Sequence, residues 1–347
     1  MKALVLKEYH KFSYEDVPVP AIGSEDVLIE VRGCGICGSD VHGMDGSTGR
    51  RQPPIIMGHE AAGIVMEAGS AVSGWRKGDR VTFDSTIYCG KCAFCRQGRI
   101  NLCDHRRVLG VSCDDYRRHG AFAEFVAVPQ HILYRLPEGV PFERAAMVEA
   151  LSIAFHAVRQ TPVTLNDSAV IFGAGMIGLL LIQTLRISGC GWIAAVDVES
   201  ERLDLARKLG ADHTINSAAT GPVAELHRLT GGMGVDLAFE VVGIASTVDA
   251  AVRSVRKGGA VTLIGNISPS IQFPLQVAVT RELSVHGSCA SSGEYPACLD
   301  MLARGVMNIA PLISAVAPLS EGASWFERLY RKEKGLFKVI LSPEGKA

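Results

Sequence analysis

The spacing of apolar positions divides the chain into two parts. Before about residue 150, short apolar segments alternate with turn-forming residues, and residues 27–31 and 61–65 have the composition of β-strands. Residues 1–7 also have a strand pattern, and the turn at 77–81 leads into another strand. No internal repeat or low-complexity tract interrupts this part. The first part is therefore predicted to be β-rich.

From about residue 150 the pattern changes to short apolar strands that alternate with helical segments. The predicted strands lie at residues 169–172, 192–196, 213–215, 235–240, 260–264 and 283–286. Strands that alternate with helices in this way form a parallel sheet with helices on both faces. The rhythm stops after Gly287, and the tail ends in another predicted strand at 337–341. We expect this tail to rejoin the first part.

Composition and charge narrow the class of protein. The 347 residues are 48% apolar and 20% charged, which is typical of a soluble globular protein with room for two domains. A net charge of -1 gives no general attraction to nucleic acid or anionic lipid, so neither partner is expected. The longest apolar stretch, residues 169–185, is interrupted by glycines and is shorter than the ~20 residues of a membrane span.

Cysteine usage indicates a reducing compartment. The N-terminal residues lack a hydrophobic signal core, and the ten cysteines are therefore interpreted as thiols and metal ligands and not as a disulfide framework. The expected location is the cytoplasm.

A first candidate metal site lies between Cys34 and Glu60. Cys37, His59 and Glu60 offer a thiolate, an imidazole and a carboxylate, a donor set that suits zinc. Because structural zinc sites have four closed ligands, this mixed set is more typical of a catalytic site with one position open to water. The alternative is a buried thiol beside unrelated polar residues, since free cysteine is often a core residue.

A second candidate site has the spacing C-x2-C-x2-C-x7-C, formed by Cys89, Cys92, Cys95 and Cys103. Four thiolates on one short loop predict a structural zinc site. The main alternative is an iron–sulfur cluster, whose bacterial run is C-x2-C-x2-C-x3-C-P. Here the last gap is longer, and Asp104 stands in place of the proline. Unliganded core thiols are not favoured, because the intervening residues are polar.

A glycine-rich turn follows the predicted strand at 169–172 and opens an apolar helix at 177–187. Its residues are Gly173, Ala174, Gly175, Met176, Ile177 and Gly178. Such a run often means only tight packing, but between a strand and a helix it is typical of dinucleotide binding. Gly175 lets the backbone approach a pyrophosphate, and Gly178 lets helix and strand pack closely. The N–H groups of the helix N-terminus, at Met176 and Ile177, face the phosphates.

An acidic residue ends the next predicted strand. Asp197 follows the glycine turn by about 20 residues, where a carboxylate accepts hydrogen bonds from the adenosine ribose. Because that carboxylate repels a 2′-phosphate, NAD is predicted over NADP. Arg202 is the nearby residue that could soften this preference, and it is included among the predicted cofactor-binding residues.

These motifs resemble the zinc-dependent medium-chain dehydrogenases over essentially the whole chain. The resemblance includes residues 58–60, the four-cysteine lobe and the glycine turn. Three further runs, at residues 148–152, 281–287 and 334–339, are similar to the sorbitol (polyol) dehydrogenase branch.

The resemblance implies an α/β protein with a GroES-like β-rich catalytic domain and a Rossmann domain with a doubly wound parallel sheet. The catalytic domain is expected at residues 1–152, with a structural zinc lobe at about 86–106. The NAD-binding domain is expected at 153–287, and the segment 288–347 is expected to complete the catalytic domain. Members of this family are commonly dimers or tetramers, so a homodimer or homotetramer is expected.

The resemblance also implies roles for the first metal site. Cys37 and His59 look like catalytic zinc ligands, and Glu60 and Glu149 look like carboxylates that bind the zinc or its water in alternation. Asp40 is similar to the acid that orients the zinc-bound imidazole in this family. A helix or turn cap is an alternative role for the same side chain.

Two further residues are similar to the proton relay of the family. Ser39 and His42 are expected to carry the alcohol proton through the ribose hydroxyls to solvent. For His42 the alternative is an exposed loop histidine without a role. Other histidines lie outside any such constellation and are expected to be structural or exposed, namely His10, His119, His131, His213 and His227.

The predicted function is zinc-dependent hydride transfer from a secondary hydroxyl of a sorbitol- or galactitol-like polyol to NAD, giving a ketose. Two departures from the branch leave alternatives open. Ala150 replaces a proline after Glu149, and residues 288–292 lack an arginine that polyol members often place in the substrate pocket. L-Threonine 3-dehydrogenase and 2,3-butanediol or other secondary alcohol dehydrogenases are therefore alternatives within the family.

Two classes outside that function remain as alternatives. A zinc-free reductase that acts on quinones or enones with NADPH would lack Cys37, His59 and the cysteine lobe, all of which are present. A non-catalytic nucleotide-sensing or structural protein with the same fold is the other alternative.

Overall fold

The computed structural model describes residues 1–113 and 116–343. The chain divides into two compact units, of which the first combines Met1–Glu149 with Ser292–Ala347 and the second is Ala150–Ser291. The boundaries expected from the sequence are residues 152 and 287. No helix in the described ranges is both long and apolar enough to cross a bilayer.

The first segment of the chain is rich in strands. These are β1 (Lys2–Glu8), β2 (Lys11–Asp16), β3 (Asp26–Gly35), β4 (Ile55–Ile56), β5 (Glu60–Ala68), β6 (Arg80–Phe83), β7 (Thr86–Ile87), β8 (Arg107–Val108), β9 (Ser112–Cys113), β10 (Tyr116–Arg117), β11 (Phe125–Pro129) and β12 (Leu133–Arg135). Its α-helices are α1 (Gly38–Gly43), α2 (Ala93–Arg96), α3 (Phe142–Ala145) and α4 (Val148–Arg159), and 3-10 turns lie at Ile100–Leu102 and Gln130–Ile132.

The middle of the chain alternates strands and helices. The strands are β13 (Ser168–Phe172), β14 (Trp192–Asp197), β15 (His213–Asn216), β16 (Val235–Glu240), β17 (Val255–Leu263) and β18 (Ser284–Gly287). The helices are α5 (Met176–Ile187), α6 (Ser200–Lys208), α7 (Pro222–Leu229), α8 (Ala245–Ser254) and α9 (Leu275–Thr280). The tail contains α10 (Tyr295–Ala303), β19 (Ile313–Pro318), α11 (Gly322–Tyr330) and β20 (Lys338–Ser342), with 3-10 turns at Ala310–Leu312 and Leu319–Glu321.

The largest sheet of the first unit has the order β12-β6-β5-β3-β20-β19, and β11 also pairs with β3. Its central strand β3 buries Val27, Ile29 and Val31 on one face, as the period of two along a strand requires. The core beneath this sheet includes Phe122 and Phe326, whose rings meet edge to face at 5.6 Å. The tail strand β20 pairs with β3, so the end of the chain completes the sheet that begins near the N-terminus.

The second unit contains one parallel sheet with the order β15-β14-β13-β16-β17-β18. The predicted parallel sheet and the predicted α/β class are confirmed. Strand β13 is apolar and buried along almost its whole length, as expected of a strand covered on both faces. The order reverses between β13 and β16, and ligands of such sheets bind outside the carboxyl ends of the strands at that point. Strand β17 begins at Val255, earlier than the predicted strand at 260–264. The apolar pattern did not include its first residues, because Arg256 and Lys257 are charged and exposed.

Candidate active site and metal centres

The first ligand group is assembled by the meeting of β3, α1 and β5. Gly35 at the end of β3 pairs with Glu60 at the start of β5, and Cys37 is the N-cap of α1. Gly58 has a φ of +96°, and a Cβ there would lie 2.8 Å from the Cys34 Sγ. Glycine is therefore required at this turn. The turn delivers His59 and Glu60 to the same place as Cys37.

Cys37, His59 and Glu60 each place one ligand atom within 4.8 Å of the others. His59 and Glu60 are buried and Cys37 is half-buried. Burial alone would lower the pKa of His59, but the negative charges of Asp40 and Cys37 outweigh it and the pKa is raised. The surroundings of His59 thus favour a positive charge. A sulfur, a nitrogen and an oxygen donor in a field that favours a cation fit a zinc ion with an open position.

Asp40 lies behind His59. It is fully buried in α1, and its Oδ2 lies 3.4 Å from His59 Nδ1. The Arg51 guanidinium donates to the Asp40 Oδ1 through Nε at 3.2 Å and through a terminal nitrogen at 2.9 Å. Burial alone would raise the pKa of Asp40, but His59 and Arg51 lower it to about 2. The carboxylate is therefore charged and faces the imidazole, which leaves His59 Nε2 for a metal.

The two glutamates predicted to alternate at the metal lie in different surroundings. Glu60 is held by the buried Lys338, whose Nζ lies 2.5 Å from Glu60 Oε2 and also donates to the Ile36 carbonyl at 3.1 Å. Glu149 is half-buried at the start of α4 and is not among the three residues whose ligand atoms lie within 4.8 Å of one another. Burial raises the pKa of Glu149 to about 7, while His59 opposes that shift. The structure thus groups Glu60, and not Glu149, with Cys37 and His59.

The two predicted relay residues lie on α1 and are exposed. The Ser39 hydroxyl donates to the Cys37 Sγ at 3.3 Å and accepts from Arg51 at 3.1 Å. His42 is three residues further on, and its carbonyl accepts from the Ser47 hydroxyl at 2.8 Å. Residues three apart on a helix share a face, so Ser39 and His42 lie on the same side of α1.

The four lobe cysteines Cys89, Cys92, Cys95 and Cys103 form the second ligand group, with their sulfur atoms all within 4.8 Å of one another. Tetrahedral zinc at the usual Zn–S distance holds its sulfurs about 3.8 Å apart, so this cluster fits a closed zinc site. Backbone N–H groups point at the sulfurs, with Cys89 N donating to Cys103 at 3.3 Å and Cys92 N donating to Cys89 at 3.4 Å.

The pKa values of the lobe thiols indicate crowded sulfurs. Backbone hydrogen bonds from Lys91 and Cys92 lower the pKa of Cys89 to about 6, and that of Cys92 is lowered as well. Burial raises the pKa of Cys95 to about 12. Zinc binds cysteine as the thiolate, so an ion held by these four residues would favour the deprotonated form of each.

The glycine turn lies between β13 and α5, at the carboxyl edge of the second unit's sheet. A Cβ at Gly178 would lie 1.9 Å from the Gly173 carbonyl oxygen, so only glycine permits this contact of helix and strand. Gly175 is the N-cap of α5, and a Cβ there would meet nothing within 4 Å. The open space at Gly175 fits the approach of a pyrophosphate to the helix N-terminus, whose first residues are Met176 and Ile177.

Asp197 ends β14 beside this turn. Its Oδ2 accepts from Ala174 N at 2.7 Å, and its Oδ1 accepts from Glu199 N at 3.0 Å. Arg202 approaches the same Oδ2 at 3.6 Å. Each carboxylate oxygen has further lone pairs, so Asp197 retains acceptors for ribose hydroxyls. The carboxylate also fixes the glycine turn.

Sequence reasoning missed three residues that hold these sites. Arg51 gave no motif signal, because its partner Asp40 belongs to a different element. Lys338 starts the apolar strand β20, and a lone charge in such a strand was the signal that could have marked it. Glu240 ends β16 and is fully buried, where it accepts from Gly243 N at 2.8 Å and from the Thr247 hydroxyl at 2.7 Å.

Comparison with known proteins agrees with this geometry. The family model "Alcohol dehydrogenase GroES-like domain" matches residues 23–138, and "Zinc-binding dehydrogenase" matches residues 177–304. Sorbitol dehydrogenase of Bacillus subtilis is 32% identical over 99% of this chain and 97% of its own length. D-xylulose reductase A of Aspergillus niger is 34% identical over 97% of this chain and 96% of its own length.

Solved structures show the same similarity. Alcohol dehydrogenase TADH from Thermus sp. ATN1 has a TM-score of 0.93 and 33% identity, with 99% of both chains covered. The 2R,3R-butanediol dehydrogenase from Bacillus subtilis has a TM-score of 0.88 and 30% identity, also with 99% of both chains covered. Similarity of this extent shows that the chain belongs to the zinc-dependent medium-chain dehydrogenase/reductase family, in its polyol dehydrogenase-like branch, and that it is an oxidoreductase.

Proposed function

We propose that this protein oxidises a secondary hydroxyl of a small polyol to a ketone with NAD as hydride acceptor. The observation that carries the proposal is the convergence of Cys37, His59 and Glu60 within 4.8 Å, with the charged Asp40 behind His59. The similarity to sorbitol dehydrogenase and D-xylulose reductase supports a polyol as substrate. Both relatives are named for sugar alcohols or ketoses.

Cys37 and His59 would hold the zinc, with Glu60 or Glu149 as the third ligand. When bound, zinc acts as a Lewis acid that lowers the pKa of an alcohol. Asp40 keeps the proton on His59 Nδ1 and thereby directs Nε2 to the metal. Ser39 lies beside the Cys37 sulfur, where its hydroxyl would take the substrate proton and release its own proton to the ribose hydroxyls of the cofactor. His42, on the same face of α1, would pass that proton to solvent.

The glycine turn and Asp197 would bind the dinucleotide. The N–H groups at the start of α5 bind the pyrophosphate, and Gly175 leaves room for it. Asp197 accepts hydrogen bonds from the adenosine ribose and repels a 2′-phosphate, so NAD is the expected cofactor. Nicotinamide carries the redox chemistry, and the protein orients it and the substrate.

A second candidate within the family is oxidation of a less hydroxylated secondary alcohol, such as 2,3-butanediol or L-threonine. Residues 288–292 offer no arginine to bind a hydroxyl next to the reacting carbon. A site that makes no hydrogen bond to that hydroxyl discriminates weakly against substrates that lack it. The similarity to 2R,3R-butanediol dehydrogenase supports this candidate.

The test is an absorbance assay of NADH formation with the zinc-loaded protein. Sorbitol, galactitol, xylitol, L-threonine, 2,3-butanediol and ethanol are compared by kcat/KM under one set of conditions, with Cys37→Ala as the inactive control. We expect the highest kcat/KM with a five- or six-carbon polyol. If threonine or butanediol leads while every polyol is inert, the polyol assignment is wrong and the second candidate replaces it.

We also propose that the protein is a homodimer or homotetramer. The resemblance to the family supports this, as do exposed apolar side chains of the second unit. Leu275 and Val279 are each 66% exposed, and Val285 in the edge strand β18 is 43% exposed. Exposed apolar side chains, such as Leu275 and Val279 on α9, and an edge strand such as β18 both favour self-association. Sedimentation analysis that finds only a monomer at micromolar concentration would contradict this proposal.

A further inference from the structure

Arg51 is a buried cation next to the catalytic ligand group. It lies in the loop between α1 and β4, and its side chain is only 4% exposed. A charge buried to this extent is costly unless it is paired and hydrogen-bonded. Arg51 meets that condition with a forked contact to Asp40 at 3.2 and 2.9 Å and with a third contact to the Ser39 hydroxyl at 3.1 Å.

These contacts connect Arg51 to two of the predicted ligands through one residue each. Asp40 uses Oδ1 for Arg51 and turns Oδ2 toward His59 Nδ1 at 3.4 Å. Ser39 accepts from Arg51, which leaves the hydroxyl proton to be donated to the Cys37 sulfur at 3.3 Å. One guanidinium therefore fixes both the acid behind the imidazole and the hydroxyl beside the thiolate.

The stem of Arg51 is fixed as well. A Cβ at Gly43 would lie 2.2 Å from the Arg51 Cγ and 3.2 Å from its Cβ, so the stem packs directly on the backbone of α1. Nε and one terminal nitrogen of Arg51 both donate to Asp40 Oδ1, and that terminal nitrogen also donates to the Ser39 hydroxyl. Lysine does not reproduce this arrangement, because it is a point charge on a flexible stem. The packing and the fork together allow one arrangement of Ser39 and Asp40.

We propose that Arg51 is a positioning residue of this dehydrogenase that holds Asp40 against His59 and Ser39 against Cys37. It binds neither the metal nor the substrate and acts only through these two residues. The expected loss of activity rests on the proposed function, whereas the expected change in the geometry of the metal ligands does not. Replacing the fork should change the metal environment even when no alcohol is present.

The primary test is the visible absorption spectrum of protein with Co²⁺ in place of the catalytic zinc. Arg51→Lys and Arg51→Gln are compared with the unaltered protein and with Arg50→Ala, which removes the exposed neighbouring arginine. Retention of the metal in the cysteine lobe and of the thermal transition shows that each variant is folded. We expect both Arg51 variants to shift the Co²⁺ bands and to lose Co²⁺ faster to a chelator. Arg50→Ala should do neither.

The kinetic test uses the alcohol that the unaltered protein turns over best. Changes behind a metal ligand commonly reduce metal affinity or activity by about 10- to 100-fold, and we expect kcat of Arg51→Lys to fall by that factor with KM for NAD unchanged. A double variant then combines Ser39→Ala with Arg51→Gln. Its loss of kcat should be smaller than the product of the two single losses, because the two residues act through one contact.

Each result bears on Arg51 separately from the proposed function. A Co²⁺ spectrum and a chelation rate for Arg51→Lys and Arg51→Gln that equal those of the unaltered protein would overturn the proposal. Losses that multiply fully with Ser39→Ala would overturn the link through Ser39. An absence of activity with every alcohol would contradict the dehydrogenase function but would leave the spectroscopic test intact.

Discussion

At the scale of single residues, the ligand groups are held by charges that are buried and paired. The side chains of Asp40 with Arg51 and of Glu60 with Lys338 are each less than 5% exposed, and the paired residues are 11 and 278 positions apart in the chain. Such pairs contribute little net stability, because desolvation offsets their attraction. Their contribution here is geometric, because Arg51 orients Asp40 against His59 and Lys338 orients Glu60.

Asp197 decides the cofactor preference in our assignment. Asp197→Asn keeps an acceptor for Ala174 N but removes the charge that binds ribose and repels a 2′-phosphate. A hydrogen bond to a charged group contributes about 1.5–3 kcal/mol, so the ratio of kcat/KM for NAD over NADP should fall by about 10- to 100-fold. Asp204→Asn, an exposed site on α6, is the control. Equal or better use of NADP by the unaltered protein would contradict the role of Asp197.

At the scale of elements, the cysteine lobe is too short to fold by burial of apolar surface. Helix α2 spans only Ala93–Arg96 and buries none of its residues, so its order depends on contacts of the cysteines. Isolated helices of this length are unstable in water. A metal that closes the loop would therefore stabilise the lobe, whereas the first ligand group is built on α1 and on β3 and β5, which are held by their pairing in the sheet.

The two metal centres should respond differently to loss of a ligand. Cys37→Ala should remove one zinc ion and the activity while the protein stays folded. Cys92→Ala should remove the other ion and lower the thermal transition or cause aggregation, because the lobe loses its closure. Metal analysis and thermal unfolding distinguish the two, with the exposed Cys289→Ser as control. Iron in place of zinc, or one ion per fully loaded chain, would contradict the assignment.

The loop after β16 should depend on Glu240. This carboxylate accepts from Val242 N at 2.9 Å and from Gly243 N at 2.8 Å, and Val242 packs against Gly173 of the glycine turn. Glu240→Gln places amide donors against backbone donors, which costs about 1–3 kcal/mol of stability. We therefore expect a lower urea midpoint and a higher KM for NAD.

The control for this variant is Asp249→Asn, which alters an exposed ion pair on α8. Binding of NAD measured by calorimetry separates loss of affinity from loss of folded protein. Glu240→Gln with unaltered NAD affinity would show that the loop does not support the cofactor.

At the scale of the whole molecule, the tail completes the unit in which the metal ligands lie. Strand β20 pairs with β3 through Ile340–Gly35 and Leu341–Cys34, directly before Cys37. Lys338 on the same strand reaches Glu60 on β5. The first and last parts of the chain therefore belong to one unit, which contains the ligand group, and the residues of the second unit lie between them in the sequence.

Lys338→Met tests this connection. It leaves Glu60 buried without its cation, and breaking a buried pair in this way costs about 3–5 kcal/mol of unfolding free energy. Lys334→Met removes an exposed lysine nearby and should have little effect. Urea unfolding of the two variants measures the difference. Adding Glu60→Gln to Lys338→Met should restore part of the loss, and no recovery would argue against the unpaired charge as its cause.

Local motifs determined much of this protein from sequence alone. The four lobe cysteines and the glycine turn each lie within a short run, so their spacing already specifies which atoms meet. The inner strands of the parallel sheet were predicted because strands buried on both faces are nearly continuous apolar runs, as β13, β14 and β16 are. Strand β17 was predicted to be too short, because its first residues are exposed and charged and so do not form the apolar run of a buried strand.

The tertiary structure decided which distant side chains support those motifs. Arg51 reaches Asp40, Lys338 reaches Glu60, and Val242 packs beside Gly173, and none of these contacts follows a fixed spacing. The grouping of Glu60 with Cys37 and His59, while Glu149 lies outside it, was likewise left open by the sequence. Periodicity specifies neighbours within an element, whereas contacts between elements depend on how the strands pair and pack, which only the folded chain determines.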